Sequence, residues 1–203
     1  MRRTHHCGTL RAEHVGQTVC VKGWVNSRRD HGGVIFLDLR DRTGLLQIVA
    51  DSERGTPQAH EAADGSRAEF VLEVVGTVVK RGEGLENSKL ATGDVEIIAT
   101  SITVLAAAQH PPFELDDPNI GLEQRMRYRF IDLRRPEMQR NLQVRHDAAQ
   151  AARKYLSDEG FLEVETPLLL KATPEGARDF LVPCRLTPGT FYVLPQSPQL
   201  MKQ

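Results

Sequence analysis

From Gly23 to Ala50 the chain reads as three short runs in which apolar and polar residues alternate, the period-2 signature of half-buried strands. Asp30-His31-Gly32-Gly33 and Asp41-Arg42-Thr43-Gly44 separate the runs and carry turn chemistry. In the second run Ile35, Leu37 and Leu39 share one face and Val34, Phe36 and Asp38 the other, which puts an aromatic ring on the polar side. In the third, Leu46, Ile48 and Ala50 point inward and leave Gln47 outward, beside Phe36 on the neighbouring strand. Just upstream, Val19, Val21 and Val25 alternate with Cys20, Lys22 and Trp24.

Asp51 to Glu69 loses this alternation and becomes Ala-rich, which suits a helix shortened by Gly55, Pro57 and Gly65. A fourth strand is expected over Phe70 to Lys80, broken by Gly82-Glu83-Gly84. A fifth is expected over Gly93 to Leu105, with Val95, Ile97 and Ala99 opposite Asp94, Glu96 and Ile98. Five strands with a helical insert between the third and fourth is the layout of an OB-fold barrel, assigned to residues 1–106. Gln109-His110-Pro111-Pro112 and the polar run to Gly121 interrupt the pattern, so residues 107–133 read as a hinge. Residues 134–203 then form a second unit. Its helix runs from Glu137 to Glu159, with Leu142, Ala149, Ala152 and Leu156 on one stripe and Gly160 at a left-handed cap. Phe161 to Pro167 follows as a strand closed by proline.

Composition narrows the function. With 40% hydrophobic and 26% charged residues the chain is that of a soluble globular protein, and a net charge of -1 gives no global field for a polyanion. Residues 1–50, however, hold eight Arg and Lys against four Asp and Glu, so nucleic-acid contact is expected there. The exposed Phe36 ring offers a stacking platform, Gln47 an amide for a base edge, and Arg28, Arg29, Arg40 and Arg42 cations for phosphate. Taken singly, an outward aromatic and solvated arginines are ordinary surface features. Cys7, Cys20 and Cys184 lack paired spacing, which points to a reducing, cytoplasmic compartment. His5-His6-Cys7 has no second cluster to complete a metal site, and no stretch reaches the length of a membrane span.

The second unit adds specific motifs. The helix with Gly160 to Pro167 resembles motif 1 of class II aminoacyl-tRNA synthetases, where helix and strand form the dimer interface, with Pro167 at its end. Thr173 to Pro183, reading TPEGARDFLVP, and Leu194 to Gln203, reading LPQSPQLMKQ, resemble the amino-acid-binding segments of bacterial aspartyl-tRNA synthetases. That family begins with an anticodon-binding OB-fold carrying a GWVxxRRD start, here Gly23 to Asp30. The fold this resemblance implies is an N-terminal five-stranded OB-fold barrel followed by the start of a class II antiparallel-sheet catalytic domain.

The resemblance implies ATP-dependent joining of L-aspartate to tRNA-Asp through aspartyl-adenylate, in a homodimer using Mg2+. Glu175 would meet the substrate ammonium, Lys202 its side-chain carboxylate, and Ser197 and Gln199 would orient it. Gly176 would let the Glu175 loop move over the substrate. In the barrel, Phe36 would stack, Gln47 and Glu96 read base edges, and Arg29 stand nearby. A carboxylate can accept from a base amino group, although Glu96 is equally an acid that guards a sheet edge. His31 and Gly84 resemble the pair found in the form that charges both tRNA-Asp and tRNA-Asn, and both are also plain turn residues. The family's motifs holding the ATP α-phosphate and adenine, and its magnesium ligands, do not occur before Gln203. These residues alone are therefore expected to bind RNA without forming adenylate, and the part after about Leu133 to aggregate when expressed by itself. The competing reading is a stand-alone tRNA-binding or single-strand-binding module with a degenerate tail, which leaves Glu175, Gln199 and Lys202 without a purpose.

Overall fold

A computed structural model of the chain describes residues 1–172, 178–197 and 199–202, with Leu200 and Lys202 by backbone alone. Contacts divide it into two units, Met1–Arg135 and Pro136–Gln203, so the stretch 107–135 goes with the first.

In the first unit β1 (Thr18–His31), β2 (Val34–Asp41), β3 (Gly44–Ala50), β4 (Val71–Lys80) and β5 (Val95–Ala106) close a barrel in the order β1-β2-β3-β5-β4. All neighbours are antiparallel except β3 and β5, which run parallel. The expected alternation is realised in β2: Ile35, Leu37 and Leu39 are fully buried, while Val34, Phe36 and Asp38 face outward and are half-buried. β1 is long enough to serve two partners, pairing with β4 from Thr18 to Trp24 and with β2 from Trp24 to His31. A register shift between Val25 and Ser27 bends it from one to the other. Gly76 sits where β5 crosses closely: a Cβ there would lie 2.2 Å from the Ile98 carbonyl oxygen.

The insert is α1 (Pro57–Gly65). Thr56 caps it, accepting from the Ala59 N–H at 3.1 Å while its hydroxyl donates to the Thr100 carbonyl of β5 at 3.0 Å. Ala59 and Ala63, one turn apart, face the barrel core. Ahead of β1 the chain makes two 3-10 turns, Cys7–Thr9 and Ala12–His14, stapled to the β2–β3 turn through Asp41. Its carboxylate bonds the Cys7 N–H at 2.8 Å, the Thr43 N–H at 2.8 Å, the Thr43 hydroxyl at 2.6 Å and His6 Nδ1 at 3.1 Å. Burial pushes the Asp41 pKa up, but the bonds from Thr43, Cys7 and His6 outweigh it and hold the group below the ordinary carboxylate value.

Residues 107–135 contain α2 (Leu122–Arg127) and α3 (Arg129–Asp132), gathered around a fully buried Asp132 that pairs with Arg125 at 2.7 Å and with Arg129. Arg134 ties the stretch to the barrel. It donates to Glu69 Oε2 at 2.6 Å and lies over the Trp24 ring, 5.2 Å from its centroid. The other Glu69 oxygen accepts from Arg40 at 2.7 Å, so these contacts hold Glu69 at a φ of 64°, unusual for a residue with a side chain.

The second unit opens with α4 (Pro136–Asp158), within one residue of the expected helix at each end. Gly160 ends it at φ 84°, and the Phe161 N–H bonds back to the Leu156 carbonyl at 2.9 Å. No side chain of α4 is buried, the Leu142, Ala149, Ala152 and Leu156 stripe included. β6 (Phe180–Pro183) and β7 (Phe191–Leu194) form an antiparallel pair, and α5 (Gln199–Lys202) follows. The expected strand from Phe161 to Pro167 is not formed. Among the described residues nothing pairs with it, Pro167 has no N–H to give, and the nearest pairing is one bridge from Leu170 to Val193. Alternation makes a segment fit for a sheet; a ladder also needs a neighbour.

Candidate nucleic-acid interface

The outward face of the barrel carries a cleft of about 660 Å³ between the β1–β2 hairpin, β3, β5 and the turn after β4. Arg29, His31, Phe36, Gln47, Gly84 and Glu96, separated by up to 67 positions in sequence, all line it. Phe36 stands outward from β2, and the His31 ring meets it edge-on with centroids 5.8 Å apart at 66°. Gln47 pairs across the strands with Asp38, and Val49 with Phe36, so Gln47 is the diagonal neighbour of the ring.

The polar groups form one network over four strands. Ser27 donates to Asp38 at 2.5 Å, and Asp38 holds Arg29 through Nη2 at 3.0 and 3.1 Å. Arg29 Nη2 also reaches Gln47 Oε1 at 3.3 Å, and Gln47 Nε2 donates to Glu96 Oε2 at 2.8 Å. Gln47 and Glu96 are nearly buried, at 9% and 8% exposure. Because β5 pairs with β3 on one side and β4 on the other, Glu96 guards no free edge. Instead an amide and a carboxylate are held in fixed orientation on the cleft wall, ready to bond the edge of a flat polar ring.

Arg81 was not apparent from the alternation pattern. It follows β4 directly, is 8% exposed, and donates through Nε to the Val95 carbonyl at 3.2 Å. Its Nη2 is buried at the cleft without a hydrogen-bond partner, a costly arrangement for a cation unless a further acceptor arrives. The signal available in the sequence was the basic pair Lys80-Arg81 beside the Gly82-Glu83-Gly84 turn. With Arg29, Arg54, Lys80 and Arg81 against Glu86 and Glu96, the lining is locally cationic although the chain is not.

Two family models match the chain, the second beginning at residue 121, inside the first unit. A family model for the OB-fold nucleic acid binding domain matches residues 19–105, and one for tRNA synthetases class II (D, K and N) matches residues 121–203. Over its whole length the chain is 53% identical to the aspartate–tRNA(Asp/Asn) ligase of Caldanaerobacter subterraneus subsp. tengcongensis, and it spans 34% of that protein. The chain is thus a homologue of an aspartate–tRNA(Asp/Asn) ligase along its whole length, and its residues 121–203 match the class II tRNA synthetases. Asparaginyl-tRNA synthetase from Pyrococcus horikoshii complexed with asparaginyl-adenylate matches 99% of this chain with 44% of its own, at a TM-score of 0.83 and 26% identity. A second structure of that enzyme matches 98% with 43%, at 0.80 and 25%.

In the second unit the expected amino-acid-binding residues are only partly described. Glu175 and Gly176 lie outside the described residues, as does the Lys202 side chain. Ser197 and Gln199 are exposed neighbours, with the Gln199 N–H donating to Ser197 Oγ at 3.3 Å. Pro167, expected at a dimer interface, is exposed. Among the described residues no group of three or more His, Cys, Asp or Glu side chains converges on a metal ion, and no helix is long and apolar enough to cross a membrane.

Proposed function

We propose that the barrel cleft grips unstacked anticodon bases of a tRNA, and that the chain serves an aspartate–tRNA ligase that joins L-aspartate to tRNA-Asp and also to tRNA-Asn. The observation that carries this is the convergence of Phe36, Gln47, Glu96 and Arg29 on one locally cationic cleft, with the unsatisfied Arg81 Nη2 at its wall. Phe36 supplies a stacking surface, worth about 1–3 kcal/mol per base. Gln47 and Glu96 present a donor-acceptor pair to a base edge, and Arg81 supplies the donor that a base oxygen, ring nitrogen or phosphate completes. Arg29 is held by Asp38 and Gln47, so it acts by orienting the amide.

Charging of tRNA-Asn is supported by His31 and Gly84 lying at this cleft and by the two tRNAs named for the 53% identical relative. In the whole protein, Glu175, Ser197, Gln199 and Lys202 are proposed to hold aspartate, in a homodimer that uses ATP and Mg2+. These 203 residues are proposed to bind RNA without forming adenylate, because the family's ATP-holding motifs do not occur among them. The test is direct. The complete enzyme should aspartylate purified tRNA-Asn as well as tRNA-Asp, and exchange of ATP with pyrophosphate by the 203 residues alone should not exceed blank. Absence of product on tRNA-Asn refutes the dual specificity.

A further inference from the structure

The β1–β2 hairpin, paired as far as His31 and Val34, brings Arg29, His31 and Phe36 to the cleft. Gly32 and Gly33 turn the chain at φ of 63° and 87°, residues 29–33 are exposed, and the Gly33 N–H bonds Asp30 Oδ1 at 3.2 Å. Beyond its own ladder, the tip is also tied to α1, an element whose residues do not line the cleft. His60 Nε2 lies 2.7 Å from the Gly33 carbonyl oxygen. A carbonyl can only accept, so Nε2 carries the proton. One turn further along, Asp64 forms an ion pair with Arg28 of β1. His60 and Asp64 are four residues apart and so share a face, next to the face that sends Ala59 and Ala63 into the core. The start of the helix is fixed to β5 through Thr56 and Thr100. The helix is thus anchored at its base and buried on one side, and it touches the hairpin with the other.

We propose that α1 is a strut for the base-binding cleft and that His60 is its positioning residue. The bond to Gly33 holds the hairpin tip so that the His31 edge stays against the Phe36 ring, which fixes the cleft wall before RNA arrives. This rests on the reading of the cleft as an anticodon site. A tip released from the strut samples other positions, and apparent affinity falls in proportion to the fraction still competent. Loss of one such bond corresponds to a drop of about three- to tenfold.

The test is binding of the 203-residue chain to a labelled RNA hairpin with GUC in its loop, read by fluorescence anisotropy, with melting followed on Trp24. His60→Ala should weaken binding about three- to tenfold while Tm moves by less than about 2 °C. His60→Gln, which can still donate to the carbonyl, should recover most of the loss. In a double-mutant cycle His60→Ala should add nothing to His31→Ala, because both remove the same wall. Unchanged binding by His60→Ala, no recovery by His60→Gln, or losses that add with those of His31→Ala would each overturn the strut. Phe36→Ala separates the two levels: if it weakens binding and His60→Ala does not, only the strut fails, and if neither weakens it, the anticodon reading fails with it.

Discussion

On the barrel, outward polar side chains are shielded and bonded to one another, from Ser27 through Asp38, Arg29 and Gln47 to Glu96. Along α4, in the second unit, apolar side chains at helical spacing remain open, with Leu142 and Leu156 each 47% exposed. Both surfaces have a regular period and a well-made end, a glycine turn in one and a Gly160 cap in the other. The difference lies in what each element meets. A closed barrel gives every strand two neighbours, so its inner residues form a core and its outer ones a network. A helix stripe has no such guarantee, and its period does not say what covers it.

Substitutions can break this contrast or sharpen it. Leu37→Ala, at a fully buried position in β2, should cost about 2–5 kcal/mol in denaturant unfolding followed on Trp24, the single tryptophan. Glu69→Ala should cost about 2–4 kcal/mol, since it leaves Arg40 and Arg134 without their shared carboxylate, and it should shift Trp24 emission by freeing the guanidinium above the ring. A smaller effect is expected from acid. The folded-state pKa of Asp41 is depressed, so its contribution is complete above the ordinary carboxylate pKa and drains away as pH falls through the lower folded value. Asp41→Asn should flatten stability against pH in that acidic window and leave its shape near neutrality unchanged. Leu156→Ala should stay within about 0.5 kcal/mol. A loss there as large as that of Leu37→Ala would mean the stripe is covered in solution, and the contrast between the units would go.

Much of the first unit was legible because strands announce their faces. Phe36, Gln47 and Glu96 were placed outward by counting in twos, and the structure sets all three on one cleft. What alternation could not supply was anything settled over distance or outside a strand. Arg81 lies just past β4, and its burial comes from the turn that follows, so no period marks it. The Asp41 staple joins residues 34 apart, through short turns that carry no pattern. The His60 contact with the hairpin tip joins residues 27 apart in sequence, from a helix to a turn, and no local period marks it. Phe161 to Pro167 shows the converse, a good strand pattern with no partner strand among the described residues.

The central claim is that the outer barrel cleft takes unpaired bases, and one titration reaches it most directly. The 203-residue chain is mixed with an RNA hairpin carrying GUC in its loop and with the same hairpin whose loop is closed into continuous duplex, at one fixed salt concentration. The account predicts saturable binding to the open loop, much weaker binding to the duplex, and a loss of about ten- to a hundredfold on the open loop with Phe36→Ala. Equal affinity for loop and duplex, untouched by Phe36→Ala, would contradict it.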